Sequence, residues 1–244
     1  MTDTRAQTYR RSHAELTRHQ KTAKGAPAYS RFVNRPLGRH LAAAAHALGA
    51  TPNQVTAVSA GFSLIGILLL ALVPPGPLMA VLACLALVLG YALDSADGQL
   101  ARLRGGGAPS GEWLDHVVDA AKTVSVHAAV LISFFRFGPD GAALLLPLGY
   151  LCLASTWFFT VVLTDLLRRL HREPGATRAA APAPLWRSLA ALPTDYGVLC
   201  LVFVLYGWRP VFVVVYALML LGTALFFGAA LRAWFTELRA LGAR

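Results

Sequence analysis

Apolar and polar positions alternate along this chain in blocks of membrane length. From Ala47 to Leu93 there is no charged residue. A bilayer span needs about 20 apolar residues, so this stretch predicts two spans. The first runs from about 54 to 73, opened by a Thr51-Pro52 cap and first-turn proline. The Pro74-Pro75-Gly76-Pro77 turn closes it. The second covers about 78–101, and its last two turns are polar. A basic, glycine-rich loop from Arg102 to Ser110 leads to a third helix, Gly111 to Phe135. The turn Gly138-Pro139-Asp140-Gly141 precedes a fourth span, about 142–167. A basic Ala/Pro-rich segment, Arg168 to Arg187, separates it from a fifth span at about 188–208 and a sixth at about 211–231. Trp208 and Trp234 suit the membrane–water interface.

Ahead of the spans, residues 1–30 are basic and read as a solvated, partly disordered arm. Arg31 to Gly49 is too short and too polar to cross. Leu37, Leu41, Ala45 and Leu48 form an apolar stripe, with Arg35, Arg39 and His46 off it. That pattern predicts an interfacial amphipathic helix. The expected fold is all-α integral membrane: six transmembrane helices preceded by a cytoplasmic interfacial helix. The expected division is 1–50 for arm and interfacial helix and 51–244 for the membrane domain. No internal repeat is visible.

Composition agrees. The 244 residues are 56% hydrophobic and 14% charged, against about 25% charged in a typical soluble domain. That excludes an ordinary soluble protein. The net charge of +10 points to anionic headgroups rather than nucleic acid. Of the 22 Lys and Arg, nineteen fall in segments on one side of a six-span topology; Arg136 and Arg209 fall on the other, and Lys122 lies within a span. This bias predicts a cell-membrane protein with both termini and the 102–110 loop in the cytoplasm. Cys84, Cys152 and Cys200 lie in apolar runs and read as free thiols. The first 50 residues lack an apolar h-region, so no signal peptide is expected.

The scarce negative charge is the more informative. Asp94, Asp97, Glu112, Asp115 and Asp119 fall within 26 positions, and ionisable groups inside spans are costly and usually functional. Asp94 and Asp97 are i,i+3 on one face of the second span; Asp115 and Asp119 are i,i+4 on one face of the third. A short loop joins these helices, which predicts antiparallel neighbours with carboxylates at matching depth. Four such carboxylates repel unless neutralised. Hard oxygen ligands suit Mg²⁺, Mn²⁺ or Ca²⁺, and a pair of ions is the arrangement used in phosphoryl transfer. Gly98, Ala101 and Gly111 leave room for a bulky ligand, and Arg102 supplies a cation for a phosphate. Glu112 reads as a first-turn acid off the shared face.

The run Asp94-Ser95-Ala96-Asp97-Gly98-Gln99-Leu100-Ala101-Arg102, then eight residues, Gly111, three residues, Asp115, three residues and Asp119 resembles the CDP-alcohol phosphotransferase signature at every fixed position. The resemblance implies an integral-membrane enzyme, usually a homodimer, of phospholipid biosynthesis. It would cleave a CDP-linked donor, often CDP-diacylglycerol, and pass a substituted phosphate to an alcohol with release of CMP. By motif position, Asp94, Asp97 and Asp115 would bind two Mg²⁺ or Mn²⁺ ions and Asp119 one of them. Asp119 would also be the general base. Gly98, Ala101, Arg102 and Gly111 would contact the CDP moiety, with Asn53 and Thr56 further candidates.

Several residues near this motif have two readings. Lys122 shares the face of Asp115 and Asp119; it either neutralises them or binds a phosphate. His127 continues the stripe more deeply and reads as packed and hydrogen-bonded. His116 falls on another face. Asp195 reads as a helix cap. Arg31, Arg35, Arg39, Arg168, Arg169 and Arg187 either bind headgroups or read an anionic acceptor. The acceptor, phosphorylated or not, stays open, as does a soluble CDP-polyol donor. A UbiA-type prenyltransferase would carry two separate Asp-rich motifs, and a divalent-cation transporter would place its carboxylates near mid-bilayer.

Overall fold

A computed structural model describes residues 4–18, 26–138, 141–171 and 185–241 of the chain. The described residues are helical throughout, with no β-strand among them. The helices are α1 (Arg5–Arg18), α2 (Arg35–Ala47), α3 (Pro52–Leu72), α4 (Pro77–Leu103), α5 (Pro109–Phe137), α6 (Leu145–Leu170), α7 (Leu185–Ala190), α8 (Tyr196–Val202) and α9 (Arg209–Leu241). Five segments are long and apolar enough to cross a membrane: α3, α4, α5, Gly141–Leu170 and α9. Their large side chains point outward in many places, as Leu78, Phe135, Phe159 and Leu225 do. That is the surface expected of helices solvated by lipid rather than water.

The first span starts as the sequence predicts. Thr51 Oγ1 accepts from Gln54 N at 3.2 Å, Gln54 Oε1 accepts from Thr51 N at 2.9 Å, and Pro52 occupies the first turn. This reciprocal cap satisfies two backbone donors that would otherwise be orphaned. α3 then packs along α4 through small residues. A Cβ on Gly90 would lie 2.4 Å from Ser63 Oγ, and one on Gly66 would lie 2.7 Å from Leu87 Cγ. Ser59 Oγ donates to Gly90 O at 2.8 Å. The main core joins α3, α4, α5, α6, α8 and α9 around Leu70, Leu87, Val130, Phe134, Phe203 and Tyr216.

Three features differ from the sequence expectation. The segment 188–208 is not a continuous span. α7 ends at Ala190, a single turn Leu192–Thr194 carries Pro193, and the chain restarts at α8, which tightens into a 3₁₀ turn over Phe203–Gly207. Pro193 has no N–H to continue a helix, and the apolar helix that remains, Tyr196–Gly207, is too short to span.

The basic arm is folded in part. α1 packs on α2, with Ser12 and Leu16 buried. Ser12 Oγ lies 2.8 Å from His46 Nδ1, Tyr9 OH lies 2.9 Å from His40 Nδ1, and His13 stacks on His40. Lys21 and Lys24 lie outside the described residues, as do 139–140 of the predicted turn and 172–184 of the basic segment.

The third difference is the face of α2. The helix forms where expected, but it seats Gly38 and Ala42 against α4, with its N-cap Asn34 also buried, and leaves Leu37 and the C-cap Leu48 exposed. A Cβ on Gly38 would lie 2.6 Å from Ser95 Oγ. The small residues let the backbones approach, so they take the packed face. Of the predicted stripe, Leu41 and Ala45 pack partly against the cluster of Leu16, Val55 and Leu100, and Leu37 and Leu48 stay exposed.

Candidate active site

α4 and α5 carry the acidic motif, and α3 packs closely on both. The two acidic helices make little backbone contact with each other. They are neighbours across a gap bridged by side chains, not directly packed as the short loop suggests. The loop is folded tightly over the end of α4: Gly106 N donates to Ala101 O at 3.0 Å, and Arg104 Nη2 donates to Ala50 O at 2.8 Å. Gly105 and Gly106 have φ of 93° and 119°, which side-chain-bearing residues rarely adopt.

The predicted carboxylates converge. One ligand atom from each of Asp94, Asp97 and Asp115 lies within 4.8 Å of the others. Asp97 is 5% exposed and accepts from Thr56 Oγ1 at 2.6 Å. Asp119 is joined to Asp94 through Lys122, whose Nζ contacts Asp94 Oδ1 and lies 2.7 Å from Asp119 Oδ1. Lys122 is itself 7% exposed. Of its two sequence readings, charge neutralisation is the one this geometry displays. The ammonium is a stand-in cation among the carboxylates, and an all-oxygen donor set of this size suits a hard divalent ion.

A second group was not anticipated. Asp115, His116 and Asp119 also offer ligand atoms within 4.8 Å of one another. His116 is one residue from Asp115 and three from Asp119, so its ring reaches an edge that its own face does not share. The available signal was the i,i+3 spacing to Asp119.

The other candidates divide. Thr56 is buried and its hydroxyl serves Asp97. Asn53 faces Gly111: a Cβ on Gly111 would meet Asn53 Oδ1 at 3.4 Å. Arg102 is exposed and folds back over Gly98, its Nη1 3.7 Å from where a Cβ there would sit. Ala101 lies half-buried under Gly107.

Flanking residues have partners of their own. His127 is 2% exposed, stacked on Tyr150 and 2.5 Å from Tyr216 OH. Asp195 caps α8 by accepting from Gly197 N at 3.1 Å, and also accepts from Ser30 N at 3.0 Å. Arg168 forms a two-pronged pair with Glu237 at 3.0 and 2.6 Å, and Arg169 bridges Asp165 and Glu112. Glu112 is a first-turn acid, as expected. Arg39 donates to Thr17 Oγ1 at 3.1 Å.

Fold and site together define a multi-pass helical membrane protein with a half-buried acidic centre suited to divalent ions. Residues 50–234 match CDP-alcohol phosphatidyltransferase, and the chain belongs to that family of enzymes. The prenyltransferase and transporter readings fall with that membership. A phosphatidylinositol phosphate synthase of Corynebacterium glutamicum is 33% identical over 115 residues, 47% of this chain and 50% of that protein. The chain thus spans about half the length of the curated relative it matches. The fold is also that of the crystal structure of Mycobacterium tuberculosis phosphatidylinositol phosphate synthase in complex with manganese and citrate. The TM-score is 0.51 at 21% identity, covering 84% of this chain and 90% of that one.

Proposed function

We propose that this protein transfers a phosphatidyl group from CDP-diacylglycerol to a small alcohol and releases CMP. The observation that carries the reading is the convergence of Asp94, Asp97 and Asp115 beside a Lys122-bridged Asp119. Asp94, Asp97, Asp115 and Asp119 would hold two Mg²⁺ or Mn²⁺ ions, which when bound supply charge neutralisation for the pyrophosphate and the departing CMP. Gly98, Ala101, Gly111 and Asn53 shape the space for the cytidine and ribose, and Arg102 pairs with a phosphate. Thr56 holds the Asp97 carboxylate in place. Asp119 orients the acceptor hydroxyl and takes its proton as oxygen attacks the β-phosphorus. Its basicity is modest beside a cation, so its main contribution is positioning.

The charge bias of the loops supports a site and termini on the cytoplasmic face of the cell membrane. The family resemblance supports a homodimer. The relatives' names put an inositol phosphate first among acceptors. Glycerol phosphate, serine and inositol follow.

The test is CMP release from CDP-diacylglycerol by purified protein in vesicles, with acceptors supplied singly and products identified by mass spectrometry. Release with one acceptor, and loss of it in Asp119→Asn, is the expected result. Release supported only by a soluble CDP-polyol would replace the lipid donor with that alternative.

A further inference from the structure

The joint between α1 and α2 is built on histidines. His13 of α1 lies on His40 of α2, with ring centroids 4.4 Å apart and planes 26° from parallel. Tyr9 extends the stack, 6.1 Å from His13. Tyr9 OH also lies 2.9 Å from His40 Nδ1, and Ser12 Oγ lies 2.8 Å from His46 Nδ1. One turn beyond His13, Leu16 enters the cluster of Val55, Ala96 and Leu100.

The three imidazoles differ in what they can do with a proton. A hydroxyl donates or accepts, so Tyr9 and Ser12 can serve His40 and His46 in either charge state. His13 Nε2 is buried and has no hydrogen-bond partner. A proton there would be buried without an acceptor, which is costly. The charged groups around it are mostly cationic. From α2, His40 and Arg39 face the ring, and Arg39 is held to α1 by its bond to Thr17 Oγ1 at 3.1 Å. On α1, Arg10 lies one turn earlier and is exposed. Glu15, two positions on, projects from another side of the helix. α4 meets α1 at the Leu16 cluster, and its Arg104 is bound to the carbonyls of Gly49 and Ala50. Burial, then His40 and Arg39, hold the His13 imidazole below its ordinary value of 6.5.

We infer that His13 makes α1 a proton-released clasp, docked on α2 while the ring is neutral and freed when it is charged. The free helix takes up the proton at the ordinary pKa and the docked helix only at a lower one. Docking is therefore full above pH 6.5 and weakens as pH falls below it. Leu16 leaves with the helix, so acid opens the cluster at Val55 and Leu100, neighbours in sequence of Thr56 and Asp97. α1 precedes residues 50–234, so the clasp belongs to this chain's own arm and stands whether or not the transfer reaction is the one proposed.

Hydrogen–deuterium exchange of the full chain in detergent micelles, corrected for intrinsic rates at each pH, reads the docking. Protection of the α1 amides should fall between pH 7.5 and 5.5, by up to about tenfold per pH unit, while that of α4 holds. His13→Phe keeps a flat ring and removes the titration, and its α1 should stay protected at both pH values. His13→Arg fixes the charge, and its α1 should be open already at pH 7.5. Equal protection of wild-type α1 at the two pH values overturns the clasp. So does a pH-dependent loss that survives in His13→Phe, or an α1 that remains protected in His13→Arg.

Discussion

Thr56 Oγ1 lies 2.6 Å from Asp97 Oδ2, joining α3 to α4 where both side chains are almost out of solvent. The hydroxyl also lies 3.1 Å from Pro52 O; its single proton has two acceptors, of which the carboxylate oxygen is the nearer. A charged group so buried needs its hydrogen-bond partners. Thr56→Val keeps the shape and removes the donor. The expected outcome is a loss of about 1–3 kcal/mol of stability in the metal-free protein and a 10–100-fold weaker metal affinity. Thermal unfolding and Mn²⁺ titration measure the two. Unchanged metal affinity would mean that Thr56 does not orient Asp97.

Much of this site is legible in the chain itself, and the reason is periodicity. Asp94/Asp97 and Asp115/Asp119 sit at helical spacings inside apolar runs, where a carboxylate has no bland explanation. Spacing within a helix fixes which side chains share a face. It says nothing of the distance between helices, which is why the gap between α4 and α5 was not foreseen. The same limit hid Thr56–Asp97, a contact across 41 positions. The break at Pro193 was masked by apolar residues on both sides of it. On α2 the leucines gave the stronger pattern, yet Gly38 and Ala42 took the packed face because close approach favours small side chains.

Gly90 tests that argument. Its Cβ position is 2.4 Å from Ser63 Oγ and 3.1 Å from Ser59 O, a backbone atom that cannot swing away. Gly90→Ala must push α3 from α4 and strain the Ser59 bond to Gly90 O. Overpacking of this kind costs about 1–3 kcal/mol. Because α3 carries Thr56 to Asp97 on the same packed interface, CMP release should fall along with thermal stability. Lower stability with full activity would show that the site does not depend on this seam.

Lys122 predicts a link between metal and stability. Lys122→Met leaves Asp94 and Asp119 facing each other without a cation, and removing one partner of a buried pair is costly. Asp119 keeps 29% side-chain exposure, so the expected loss without metal is up to about 3 kcal/mol. Divalent ions should offset more of it than they add to the wild type. The measurement is the Tm of both proteins with and without Mn²⁺. An equal Mn²⁺ increment in the two would mean that Lys122 does not share its carboxylates with the metal.

Asp119→Asn separates chemistry from architecture. The amide has the carboxylate's shape, and Lys122 keeps Asp94 as partner, so the helices around the site retain their packing. What goes is a negative oxygen able to accept a proton. Positioned proton transfer contributes about 10²–10⁴-fold to a rate, and CMP release should drop by that order while Tm stays close to wild type. The inner group, Asp94, Asp97 and Asp115, is untouched by the change, so one Mn²⁺ should still bind. A variant that keeps its fold and its inner ion and releases CMP at a rate within threefold of wild type would move the proton-accepting role away from Asp119.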